Sequence, residues 1–246
     1  MPGYGDYLRL PALLALQRPQ AGPQARDELL FVVVHQAFEL WFKQLLFELE
    51  DARDLMLTGD GHIPRRRLER AVAVQRMLLG QFDVLDTMAP QDFQLFRGVL
   101  GTGNGGQSAQ FREIALLSGA RDEGTFDRPW YSAAEQARLG RRAAEPTLWD
   151  GYLAVLEKAG FPVATEEERF EAYARIAAEQ DSLWELAEAL VAHDQAWAAW
   201  QGRHLLTVQR QIGRRRGTGG TAGAAHLAAR RDGRFYPELW ELRTRL

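Results

Sequence analysis

The 246-residue chain contains no cysteine. Disulfides, thiolate metal sites and thiolate-ligated haem are therefore excluded. A cysteine-free chain fits a reducing compartment, and the cytoplasm is the expected location. Basic charge is not in excess. The formal net charge is -3, which argues against a nucleic-acid-binding protein. No uninterrupted apolar run reaches the length of a membrane span, because Leu30 to Leu49 is broken by His, Gln, Glu and Lys. No membrane contact is expected. The first residues, MPGYGDYLRLPALL, lack the basic start and long apolar core of a signal peptide. β-Branched residues are sparse outside Val32 to Val34, and the remaining composition favours helices. There is no repeat and no dividing linker. What is left is a single all-α domain of long packed helices over residues 1–246, long enough to bury a core.

The chain is organised around Leu30 to Glu48, LFVVVHQAFELWFKQLLFE. With helical spacing, Phe31, His35, Phe38, Phe42 and Leu45 share one face. The opposite side, with Val32, Val33, Leu40, Trp41 and Leu46, is nearly as apolar. A helix apolar on so much of its circumference is expected to be buried all round. His35 then sits in a dry, aromatic-walled interior. Glu39 and Lys43 form an i,i+4 pair in the favourable order.

The other elements follow in order. Tyr4 to Gln17 reads as a short helix, and the central helix runs from about Ala25 to Leu57. Pro64 to Thr87, Gln91 to Val99 and Ser108 to Leu117 come next. Ser118 to Pro129 reads as an exposed turn region. Ser132 to Ala144 and Pro146 to Lys158 are two more helices. Thr165 and Glu168 have capping-box spacing, opening a helix or pair of helices that reaches about Gly213. Pro237 to Leu246 closes the chain. Two glycine-rich loops interrupt this pattern, GTGNGG at Gly101 to Gly106 and GTGGTAG at Gly217 to Gly223. Both permit close backbone approach.

A second imidazole lies on an apolar stripe. His204 has Trp200 at i-4 and Trp197 at i-7. Two apolar helices, each offering one histidine, suggest a flat apolar cofactor between them, with imidazole-ligated haem the obvious candidate. Zinc fits worse, since there is no HExxH and no closely spaced histidine pair. By spacing alone, both histidines also fit as ordinary hydrogen-bonded core residues. Arg97 stands behind two aromatics and before GTGNGG. It suits a carboxylate fork, or a plain solvated helix end. Arg214 to Arg216 precede GTGG, but no GK[ST] closes a P-loop there.

Several segments resemble the tryptophan 2,3-dioxygenase family. They are YGDYL at Tyr4 to Leu8, FVVVHQAFELWFKQ at Phe31 to Gln44, DFQLFR at Asp92 to Arg97 and QSAQFR at Gln107 to Arg112. Arg203-His204 with Val208 to Arg210, RGTGGTAG at Arg216 to Gly223, and the C-terminal FYPELWELRTRL continue the match. The resemblance implies a helical haem-b protein that uses O2 on L-tryptophan or a substituted tryptophan, assembled as a homotetramer. It places His204 as the proximal iron ligand and His35 as the distal histidine that hydrogen-bonds the indole nitrogen. Phe31, Phe93 and Leu100 take pocket-wall positions. Arg97 matches the partner of the substrate carboxylate, and Thr218 the contact to ammonium and carboxylate. Tyr4 and Tyr7 match an N-terminal helix reaching a neighbouring subunit. Arg112 matches an arginine near a haem propionate. Trp200 and Gly103 are expected beside the cofactor, and Asn104 beside the substrate.

The implied reaction cleaves the indole C2–C3 bond to give N-formylkynurenine, a step of tryptophan catabolism. One departure stands out: Asn104 replaces a serine of the family pattern and Gly106 a phenylalanine, which suggests a looser loop. Two alternatives follow. One is a same-fold monooxygenase giving a 2-oxindole from tryptophan or β-methyl-tryptophan. The other is a haem sensor or carrier, against which the Arg97–Thr218 clamp argues.

Overall fold

The structure, a computed structural model, describes residues 1–120, 126–220, 223–228 and 233–245. All regular structure among them is helical. Two four-residue helices, α1 (Tyr4–Tyr7) and α2 (Leu10–Leu13), replace the single N-terminal helix expected. Pro11 has no N–H to donate to the carbonyl of Tyr7, so the first turn cannot propagate. Arg9 turns the chain at φ 53°. Then come α3 (Asp27–Leu57), α4 (His62–Leu85), α5 (Pro90–Arg97), α6 (Ala109–Ser118), α7 (Ala133–Ala144) and α8 (Leu148–Lys158). The order ends with α9 (Glu166–Glu179), α10 (Ser182–Ile212), α11 (Ala224–Ala228) and α12 (Pro237–Arg245).

Local chemistry explains most boundaries. Gly59, at φ 84°, stops α3. The Asp60 carboxylate accepts from the N–H groups of His62 (2.8 Å) and Ile63 (3.2 Å), so α4 begins ahead of Pro64. The capping box at Thr165 and Glu168 is present. The stretch beyond it is a pair of helices, divided at Gln180 (φ 51°), with Asp181 capping α10. α11 was not anticipated. Within the expected exposed turn region, Ser118 is fully buried, and residues 121–125 lie outside the described residues.

The spine is α4 packed along both α3 and α10, with α6 and α8 also against α3. Val34, Phe38, Phe42, Leu45 and Leu49 bury the inner face of α3. Gly151 allows α8 to cross α3 closely. A Cβ there would meet Met56 Cβ at 3.0 Å and the Arg53 carbonyl at 3.3 Å. The Asp194 carboxylate ties the C-terminal segment down, accepting from Phe235 N (3.0 Å), Tyr236 N (3.3 Å) and Trp240 Nε1 (2.9 Å).

The expectation that α3 is buried all round is overturned. Val33, Leu40, Trp41 and Phe47 face solvent, Leu40 at 55% and Phe47 at 61% exposure. Neighbours from this chain cover only one side of the helix. By length and composition α3 is long and apolar enough to cross a membrane, despite its polar interruptions. Its inner face packs on α4, α6 and α8 and also buries Glu48 and Arg53. The expected Glu39–Lys43 pair gives way to a longer-range contact, as Gln110 donates to the Glu39 carboxylate at 2.8 Å.

Candidate active site

His35 projects from the inner side of α3. Its Nδ1 lies 2.8 Å from the carbonyl oxygen of Phe31, one turn back. A carbonyl only accepts, so the hydrogen sits on Nδ1 and Nε2 keeps its lone pair. Burial pushes the imidazole pKa down, so the ring is neutral near pH 7. Aromatic rings wall it in. Phe31 is 3.9 Å from the imidazole, centroid to centroid, and Phe93 and Phe96 are 5.9 and 5.4 Å from Phe31. Helix α5 supplies these rings because Pro90 starts it and Phe93 and Phe96 then fall on its inner side. Arg97 is its last residue, and Leu100 follows in a 3-10 turn at Gly98–Leu100, against the core.

His204 projects from α10. Its ring stacks on Phe82 at 5.9 Å and tilts against Trp200 at 5.1 Å. Among the described residues neither ring nitrogen is hydrogen-bonded. Burial, and then the neighbouring His35, pushes its pKa down to about 4, leaving a neutral imidazole. The helix is fixed on either side of it. Arg203 lies 2.8 Å from the carboxylates of both Asp83 and Asp86. Thr207 donates to Asp86 at 2.8 Å, and Gln211 to the Met88 carbonyl at 2.9 Å. These partners at and just beyond the end of α4 set the rotation of α10 and therefore where His204 points. Phe38 lies 6.1 Å from His35 and 5.3 Å from Phe82, linking the two imidazoles through rings. Trp200 is buried nearby among Phe38, Phe42, Phe82 and Phe111. Its indole N–H has no partner among the described residues. Two neutral imidazoles, apolar ring faces and an orphaned donor fit an iron porphyrin in chemistry.

At the other end, Arg97 Nη2 donates to the Arg216 carbonyl at 2.5 Å. Thr218 Oγ1 donates to the Gly103 carbonyl at 2.5 Å. Each half of the expected substrate clamp is thus held by backbone in or next to a glycine-rich loop. Arg97, Thr218, Gln94, Gly98 and Gly101 line a cavity of about 360 Å³. A larger cavity of about 610 Å³, beside Lys43 and Arg138, holds none of the expected site residues. The first glycine-rich loop is tighter than expected. Asn104 Oδ1 accepts from Gly106 N at 2.9 Å, capping a 3-10 turn at Gly105–Gln107. Residues 221 and 222 of the second loop lie outside the described residues.

Other expected residues stand apart from this cluster. Tyr4 and Tyr7 are 79% and 76% exposed, far from burial in any pocket of their own chain. The Arg112 guanidinium lies 4.6 Å from the Phe126 ring, against a side cluster that includes Tyr131 and Leu139. Sequence reasoning missed Asp83 and Asp86, whose only signal was i,i+3 spacing near the end of a helix. It also missed the Arg216 carbonyl, which no side-chain pattern reveals.

The family model described as tryptophan 2,3-dioxygenase matches residues 2–175 and 172–246. A tryptophan 2,3-dioxygenase of a Nocardioides species is 45% identical over 252 residues, covering 99% of this chain and 94% of its own length. Those of Herpetosiphon aurantiacus and Myxococcus xanthus are 34% and 36% identical, each over 99% of this chain and over 98% and 89% of their own lengths. With the match running end to end, the chain belongs to the tryptophan 2,3-dioxygenase family.

Proposed function

We propose that this chain is a haem-dependent tryptophan 2,3-dioxygenase, opening the indole C2–C3 bond of L-tryptophan to N-formylkynurenine. The observation that carries this is the course of α5. Its Phe93 and Phe96 pack on Phe31 beside the His35 imidazole, and its last residue, Arg97, lines a cavity with Thr218. A zwitterionic amino acid needs apolar walls at one end and a cation with a hydroxyl at the other.

Bound haem b supplies the activation of O2; the chain supplies binding, orientation and exclusion of water. His204 would hold the iron through its neutral ring. Trp200 and Gly103 would border the porphyrin, and Arg112 would leave the Phe126 ring to neutralise a propionate. The Nε2 of His35 accepts the indole N–H, which fixes the ring plane. Phe31, Phe93 and Leu100 confine the indole, and Asn104 borders it from the loop. Arg97 takes the carboxylate in place of the Arg216 carbonyl. Thr218 turns its hydroxyl from Gly103 to the substrate ammonium and carboxylate. The two loops already meet beside the clamp, so these side-chain moves need no loop closure.

The assembly proposed is a homotetramer, working in the cytoplasm. The exposed apolar side of α3 supports it, as do Tyr4 and Tyr7 standing clear of their own chain. The base of the N-terminal segment is anchored, since Glu28 accepts from Gln20 N (2.8 Å) and Ala21 N (2.7 Å). Such an arm suits delivery of tyrosines to a neighbour's pocket. The test is turnover by ferrous, haem-loaded protein given L-tryptophan and O2. N-formylkynurenine absorbance should grow with time; its absence with every indole amino acid tried would overturn the proposal.

A further inference from the structure

The two glycine-rich loops meet at two adjacent points. At the first, Thr218 donates to the Gly103 carbonyl. At the second, the Asn104 side chain fills the space that Gly219 leaves open. A Cβ on Gly219 would lie 2.0 Å from Asn104 Nδ2, 3.2 Å from its Cγ and 3.2 Å from the Thr102 carbonyl. The Asn104 amide is not free to move aside. Its Oδ1 accepts from Gly106 N at 2.9 Å, and its Nδ2 points to the Thr102 carbonyl at 3.4 Å. The same carbonyl takes Gln107 Nε2 at 2.9 Å, which stiffens the loop further. Gly106 leaves room for this amide, since a Cβ there would lie 2.9 Å from Asn104 Oδ1.

We infer that Asn104 is a positioning residue: its amide, seated on Gly219, fixes the register of the second loop over the first and so sets where the Thr218 hydroxyl stands. The inference rests on the proposed substrate clamp. Thr218 and Gly219 are consecutive, so a shift at one carries the other. The interlock keeps Thr218 within reach of Gly103. On binding, the hydroxyl needs only to rotate, because its backbone is already in place. An asparagine at 104 and a glycine at 219 therefore act as one unit, and changing either should be felt on the opposite loop.

The test uses the haem-loaded protein and three variants, Gly219→Ala, Asn104→Ser and the double variant. Serine keeps an oxygen for capping Gly106 N but is short enough to admit a methyl at 219. Gly219→Ala should raise KM for tryptophan roughly tenfold with a much smaller change in kcat. Asn104→Ser in the Gly219→Ala background should recover most of that loss. A double variant no better than Gly219→Ala alone, or an unchanged KM in Gly219→Ala, would overturn the inference. Amide hydrogen exchange without tryptophan gives a second readout that needs no turnover. Asn104→Ser should raise exchange at residues 216–220, on the opposite loop. Unchanged exchange there would refute the interlock even if the protein proved to act on another substrate, and it applies equally if Gly219→Ala does not fold.

Discussion

Replacing Arg97 with alanine is expected to raise the apparent dissociation constant for L-tryptophan about 30- to 150-fold. The guanidinium is half-buried at the rim of an open cavity. Two unit charges about 4 Å apart attract by about 4 kcal/mol where the effective dielectric constant is about 20. Against that, Arg97 must release the Arg216 carbonyl, a half-exposed charged hydrogen bond with a net value of about 1–2 kcal/mol. The difference is about 2–3 kcal/mol, which corresponds to the stated range. Titration of haem-loaded protein, followed in the visible spectrum, measures it. Tryptamine, which lacks the carboxylate, supplies the control. The unaltered protein should bind tryptamine more weakly than tryptophan by the same factor, and Arg97→Ala should bind the two nearly alike. Unchanged affinity for tryptophan would refute the reasoning. So would an equal loss for both ligands, which would make Arg97 a strut for the Arg216 loop rather than a carboxylate partner.

Further tests reach other parts of the argument. His204→Ala should abolish stable haem binding, and a retained imidazole-ligated spectrum would remove it as the ligand. Burial pushes the His193 pKa down to about 3, against about 6.5 in the unfolded chain. The unfolded chain therefore gains its proton first as pH falls, and stability present above pH 6.5 is lost progressively toward pH 3. Between pH 7 and pH 5 the loss from this group is about 2 kcal/mol, so urea midpoints should fall less with acid in His193→Gln; parallel losses would contradict this. Asp194→Ala strands the three donors that hold the C-terminal segment, and should cost about 3 kcal/mol and open residues 233–245 to proteolysis. Gly151→Ala should destabilise by about 1–3 kcal/mol in thermal melts, because the methyl meets Met56 and backbone at the α3–α8 crossing.

The inner face of α3 was legible because Phe31, His35, Phe38, Phe42 and Leu45 repeat with helical period. Its outer face was misread. Leu40, Trp41 and Phe47 look the same in sequence whether their partner is this chain or another copy of it. Capping residues at Thr165 marked their helix correctly, whereas Gln180 carries no breaker signature and hid the division between α9 and α10. At the site, each residue type was readable one by one. The closures were not. Arg97 reaches Arg216, and Thr218 reaches Gly103, across more than a hundred residues and through backbone carbonyls. No periodicity encodes such pairings; the packing of α10 on α4 and α5 brings them together. The tightness of the Asn104 loop was likewise hidden, because its composition advertises freedom while one amide cross-links it.

The central claim is that this site inserts both atoms of O2 across the indole C2–C3 bond. The most direct measurement is the mass of the product formed from L-tryptophan under oxygen-18 gas by the ferrous, haem-loaded protein. The account predicts N-formylkynurenine carrying two labelled atoms. A product that carries one labelled atom and keeps the indole ring system closed would contradict it.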